Sequence, residues 1–148
     1  MFTTVLLSTL TVGILDLVAA CVFMRTQRIS PIRVVQMIAS GVLGDRAFQE
    51  TTVSVPLGVT LHFAIAAALS LFYAVIAQHL PLLLWRPAIA GVLYGLAVHC
   101  LMAFIVVPSS RAPRRPFALK RLLVQAVIHI VCVGLPIAEI SAHRLARG

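Results

Sequence analysis

The feature that most constrains this chain is an apolar run from Pro87 to Pro108, PAIAGVLYGLAVHCLMAFIVVP. Gly91 and Gly95 stand in it at GxxxG spacing, and His99 lies near its middle. About 20 consecutive apolar residues cross the hydrocarbon core of a bilayer as one helix. Three further runs of this kind occur along the chain. The sequence therefore predicts an all-α, polytopic membrane protein.

The composition supports this class. Of the 148 residues 61% are hydrophobic and 11% are charged, whereas about 25% charged residues is usual in soluble domains. The net charge of +8 would suggest nucleic acid as a partner if the protein were soluble. Here the basic residues lie in loops between apolar runs. We therefore expect them to set topology and contact lipid headgroups, with the lipid bilayer and not nucleic acid as the partner.

We predict a single transmembrane helical bundle over residues 1–148, with spans at about 3–24, 57–79, 87–108 and 118–143. Ser30 and Pro31 begin a shorter helix at about 31–44, because Ser caps helices well and Pro suits the first helical position. This helix is too short to span, so we predict that it is interfacial. Its expected apolar face is Ile32, Val35, Ala39 and Val42, and its expected polar face is Arg33, Gln36 and Ser40. Residues 45–54 are predicted to be a loop.

The loop charges predict an orientation. The side with the first and third connections carries nine basic residues, Arg25, Arg28, Arg33, Arg46, Arg111, Arg114, Arg115, Lys120 and Arg121. The opposite side carries three, Arg86, Arg144 and Arg147. Because cytoplasmic loops are enriched in Lys and Arg, the more basic side is expected in the cytoplasm and both termini in the periplasm.

Four ionisable residues, one from each predicted span, are expected at nearly the same depth: Asp16, His62, His99 and His129. Counted from the basic side, they lie roughly 9–14 Å deep at a rise of about 1.5 Å per residue. Ionisable groups inside the hydrocarbon cost free energy unless they are paired or hydrated. The sequence thus predicts a polar layer to which four helices each contribute one residue.

Several interpretations of this layer remain open. The side chains could simply satisfy one another, carbonyls, hydroxyls or Gln125, with Asp16 as the partner of one imidazole. They could form a proton-responsive layer, because His titrates near physiological pH. They could bind Zn²⁺ or Fe²⁺, or two of the His could hold haem b, with Gly91 and Gly95 making room for it. GxxxG spacing is also typical of helix packing.

A layer that only satisfies its own polar groups, or that responds to protons, would indicate a non-enzymatic protein with no cofactor. A bound metal or haem would instead indicate an electron-transfer module. An accessory subunit of a larger membrane complex, or a homo-oligomer, is a third possibility, with the GxxxG face and the basic loop as docking surfaces. The sequence has no GxSxG, Gly-rich phosphate loop or HExxH pattern, so no hydrolase or kinase is expected.

Three segments, LGVTLHF at 57–63, GVLYGLAVHCLMAFIVVP at 91–108 and VIHIVCVGLPIAEISAHRLAR at 127–147, each contain a His. Together they resemble the YagU-like family of uncharacterised bacterial inner-membrane proteins, over about residues 57–147. The resemblance implies a multi-pass location in the bacterial inner membrane and a stress- or acid-related role. It implies no catalytic residue. A charged N-terminal extension is missing and the first connection is short, so the local charges decide the expected orientation.

Overall fold

The computed structural model describes residues 1–114 and 116–145, and in this part of the chain all regular structure is helical. The helices are α1 Phe2–Arg25, α2 Pro31–Leu43, α3 Thr51–His79, α4 Leu82–Trp85, α5 Pro87–Ser109 and α6 Leu119–Leu145. Four of them, α1, α3, α5 and α6, are long and apolar enough to cross a membrane. The predicted fold class is confirmed. Of the basic residues used for the orientation, Arg115 and Arg147 lie outside the described residues.

The second span begins earlier than predicted. Helix α3 starts at Thr51 rather than at about 57, and a 3-10 turn occupies Gly44–Phe48, so the segment predicted as a loop is mostly helical. The reason lies in its polar side chains. The Gln36 side-chain amide on α2 donates to the hydroxyls of Thr51 and Ser54, at 3.3 Å and 3.5 Å. Packing against α2 therefore gives these polar residues partners that a helix in lipid would otherwise lack.

Helix α2 turns a different face to the bundle than the apolar pattern predicts. Gln36 and Ser40, assigned to the polar face, are buried together with Val35 and Ala39. Ile32 and Val42 are 55% and 46% exposed. In lipid an exposed apolar side chain costs little, whereas a polar one needs an internal partner. Hydrogen bonding therefore decides the orientation of α2.

Glycine allows α5 and α6 to approach closely. A Cβ atom at Gly95 would lie 2.5 Å from the Cα of Ile130 and 2.7 Å from the carbonyl oxygen of His129. At Gly91 it would lie 2.8 Å from the Cα of Leu135, and Gly134 faces both of these glycines from α6. The GxxxG pair thus lies at a backbone-to-backbone contact with α6.

Two wide π turns interrupt these same helices. They cover Met102–Val106 in α5 and His129–Gly134 in α6. Each ends two residues before a proline, Pro108 or Pro136. A proline inside a helix lacks the N–H donor, and its ring collides with the carbonyl four residues earlier. The wider turn moves that carbonyl aside, so each proline explains the π turn before it.

Candidate functional site

The imidazoles of His99 and His129 contact each other across the α5–α6 interface. Their Nδ1 atoms are 3.2 Å apart, and the ring centroids are 5.4 Å apart at an interplanar angle of 43°. His99 is buried, with 5% of its surface exposed. The two helices thus share a polar contact inside the apolar part of the bundle.

This contact restricts the protons that the pair can carry. One Nδ1 must donate its N–H and the other must accept it with a bare lone pair. The arrangement accommodates two neutral rings, or one imidazolium and one neutral ring. Two imidazolium rings would place two donors against each other. The Nε2 of His99 is buried and has no hydrogen-bond partner among the described residues.

The backbone around His129 positions its ring. His129 is the first residue of the π turn in α6, and its carbonyl oxygen lies against Gly95 of α5. Its ring also lies against the backbone carbonyl of Gln125, one turn earlier. The close approach at Gly95, four residues before His99, brings the two imidazoles within hydrogen-bonding distance. Helix packing and ring contact therefore depend on the same short interface.

His62 joins α3 to α1. Its Nε2 lies 2.8 Å from the carbonyl oxygen of Gly13 and donates to it. A Cβ atom at Gly13 would overlap the ring of Phe63, so a side chain at this position would require that ring to move. The hydrogen bond satisfies one imidazole nitrogen inside the bundle, and it sets the relative height of α1 and α3.

Asp16 lies nearly one turn after Gly13 and is partly buried. Among the described residues no hydrogen bond joins it to an imidazole, so it is not the direct partner that the sequence suggested. Its charge nevertheless acts on His129 and on Cys132 of α6, and His62 also lies within electrostatic range of His129. The four residues are called the Asp/His cluster below, because Asp16 and His62 lie within electrostatic range of His129 and His99 is in contact with it. Only His99 and His129 touch.

The pair of His99 and His129 does not fit haem, and the described residues form no complete metal site. Two axial imidazoles would have to stand on opposite faces of a porphyrin, but the rings of His99 and His129 contact each other directly and leave no gap between them. For a metal ion, the facing Nδ1 atoms offer two nitrogens. The described residues contain no group of three His, Cys, Asp or Glu side chains placed to hold an ion.

Sequence reasoning missed two other contacts between helices. One is the Gln36 contact with α3, which the inward preference of polar side chains in lipid could have revealed. The other is the pair Tyr73 and Tyr94, whose ring centroids are 4.9 Å apart. Aromatic residues are common in apolar helices, and nothing in their spacing indicates that these two would meet.

No model of a known protein family matches this chain, no curated protein sequence matches it and no solved structure resembles it. The resemblance to the YagU-like family therefore stays a prediction.

Proposed function

We propose that this chain is a small, non-enzymatic, multi-pass protein of the bacterial inner membrane, in which the Asp/His cluster responds to protons. Four apolar helices support the membrane assignment. A stress- or acid-related role is the physiological setting that a proton-responsive cluster would suit. The observation that carries the proposal is the contact between Nδ1 of His99 and Nδ1 of His129.

The contact would act as a switch through its proton count. One proton can be added at Nε2 of a ring that donates through Nδ1, and the contact survives as a charge-assisted hydrogen bond. A second added proton removes the only acceptor and sets two positive rings side by side. Falling pH would thus first strengthen and then break the link between α5 and α6. The carboxyl group of Asp16 lies within electrostatic range of His129.

The test is amide hydrogen exchange of the purified protein in lipid nanodiscs, followed from about pH 8 to pH 5, where His changes charge. The intrinsic pH dependence of exchange is removed with an unstructured peptide standard. We expect exchange in α5 and α6 around His99 and His129 to increase at the acidic end. His99→Gln and His129→Gln should abolish this pH dependence, because Gln does not titrate.

His143→Gln is the matched control. His143 is exposed near the end of α6, so its replacement should leave the response unchanged. An acid response that persists in both His99→Gln and His129→Gln would refute the proposal.

A further inference from the structure

The half of the bundle remote from the basic loops contains a second set of buried polar groups. Ser8, Ser70 and Ser141 are each 1% exposed. None of their hydroxyl oxygens has a hydrogen-bond partner among the described residues. They come from α1, α3 and α6, three helices that pack against one another. A buried hydroxyl without a hydrogen-bond partner lowers the stability of a protein, so a set of three needs an explanation.

The helix register places two of these serines at nearly one height. Gly13 of α1 lies against Phe63 of the antiparallel α3. From this contact Ser8 is about 7.5 Å and Ser70 about 10.5 Å toward the same end of the bundle, at about 1.5 Å per residue. Their heights thus differ by only about 3 Å.

Further polar side chains continue from the serines toward the end of the bundle. The hydroxyl of Tyr94 donates to the carbonyl of Leu69 at 2.8 Å, and that of Tyr73 donates to the carbonyl of Leu83 at 3.4 Å. Glu139 of α6 lies within electrostatic range of Tyr73. Serine, tyrosine and carboxylate groups therefore line one stretch of the interior.

An open cleft lies at the end of the bundle where α1 begins and α3 and α6 end, lined among others by Ala77, Gln78 and Arg144. Ala77 is one helical turn beyond Tyr73 on α3. Toward the Asp/His cluster the interior is apolar, with Val12 and Ile137 at 1% and 0% exposure.

We infer that this half of the bundle binds internal water molecules at Ser8, Ser70 and Ser141, which enter through the cleft beside Ala77 and Gln78. Internal waters typically make about three hydrogen bonds to buried polar groups that have no other partner. The hydrocarbon around the helices offers these hydroxyls nothing comparable. The apolar layer separates the hydrated site from the Asp/His cluster, so the inference does not rest on the proposed function.

Cysteine accessibility tests the inference. In a background in which Cys21, Cys100 and Cys132 are replaced by Ala, Ser70→Cys and Ser141→Cys are introduced singly. The protein in lipid nanodiscs is exposed to Ag⁺, a small water-borne thiol reagent, and the remaining thiols are counted after denaturation. Thiols react as thiolates, which require water, so we expect the Ser70→Cys thiol to react at least about tenfold faster than a thiol in a dry site.

Two neighbours of Ser70 on α3 are the controls. Phe72 is 58% exposed on the outer face of the bundle, and Ala66 is 4% exposed in the apolar core, one turn from Ser70 toward the Asp/His cluster. Phe72→Cys measures reaction from the lipid side, and Ala66→Cys measures the dry interior. A rate for Ser70→Cys no faster than that for Ala66→Cys would overturn the inference. It would mean that the serine hydroxyls turn onto carbonyls of their own helices.

A measurement on the unaltered protein covers the case in which the cysteine variants do not fold. Magnetisation transfer from water in nuclear magnetic resonance should reach Ser8 and Ser70 but not Ala66, which lies on the apolar side of Ser70. Equal transfer to all three, or transfer to none, would contradict the inference.

Discussion

A single methyl group at Gly95 should be enough to disturb the α5–α6 interface. The Cβ atom of Gly95→Ala would meet the backbone of Ile130 and His129, which cannot move without separating the helices. Overpacking of this kind costs about 1–3 kcal/mol, so we expect a lower free energy of unfolding. The measurement is unfolding in mild detergent, followed by circular dichroism.

Gly41→Ala in α2 is the control for that substitution. The nearest atom to a Cβ at Gly41 is the Cβ of Ser110 at 3.7 Å, an ordinary contact distance. Because Ala is a better helix former than Gly, Gly41→Ala should leave stability unchanged or raise it. Equal stability of Gly95→Ala and the unaltered protein would show that the close approach is not required.

Counting residues along each helix predicts a depth for each of the Asp/His residues, but it cannot predict which of them meet. In the structure only His99 and His129 touch. Which side chains meet depends on the angle at which each points around its helix. The π turn beginning at His129 changes that angle in α6, and no hydropathy pattern records it. The contact of His99 with His129 therefore appears only in the structure.

At the level of helices, Pro136 should control whether the two imidazoles meet. Pro136→Ala restores the N–H that can bond to the carbonyl of Cys132, so the π turn can close into a regular helix. A π turn holds one extra residue compared with a regular helical turn. Closing it would rotate His129 by about 100° relative to the part of α6 that follows the π turn. We expect the contact with His99 to be lost or weakened.

The scalar coupling between the two Nδ1 nuclei, measured in protein with ¹⁵N-labelled histidine, reports this hydrogen bond directly. Pro108→Ala is the matched control, because its π turn, Met102–Val106, lies in α5 beyond His99. The coupling should survive Pro108→Ala and disappear in Pro136→Ala. An unchanged coupling in Pro136→Ala would mean that packing at Gly95, and not the proline, holds the π turn open.

The apolar runs predicted which helices exist, whereas their polar residues decided where α3 begins and how α2 faces the bundle. A run of Thr and Ser resembles a loop when only hydropathy is considered. In the structure Gln36 satisfies the hydroxyls of Thr51 and Ser54, and the helix begins there. Such partners are supplied by a separate helix, so periodicity within one segment cannot reveal them.

Among the described residues many large apolar side chains point outward, whereas small residues are frequent in the interior. Phe2, Leu93 and Phe104 are 80%, 62% and 62% exposed, whereas Ala39, Ala74 and Ser54 are fully buried. A soluble protein would expose a large apolar surface at a high cost in water. In a bilayer the same surface faces hydrocarbon, and small buried residues let the helices pack closely. The arrangement accords with the membrane assignment made from helix length and composition.

The distribution of basic residues predicts how the whole molecule is oriented in the membrane. The more basic loops lie at the end of the bundle where α1 and α5 end and where α2, α3 and α6 begin. At this end the backbone N–H of Arg111 donates to the carbonyl of Gly41 at 2.9 Å, which joins the two loop regions. Because basic loops stay in the cytoplasm, both ends of the chain should lie in the periplasm. Alkaline phosphatase fused after Gly148 should therefore be active, and green fluorescent protein fused at the same place should be dark.

A fusion within the loop between α5 and α6 should give the opposite result to the fusion after Gly148. Green fluorescent protein inserted after Ala112 should fluoresce, since this loop is predicted to be cytoplasmic. Replacing Arg111, Arg114 and Arg115 by Gln removes three of the nine cations that set the bias and should produce a mixed orientation. Fluorescence from the fusion after Gly148 in the unaltered protein would reverse the assignment. It would place the cleft beside Ala77 and Gln78, and the water site it serves, on the cytoplasmic side.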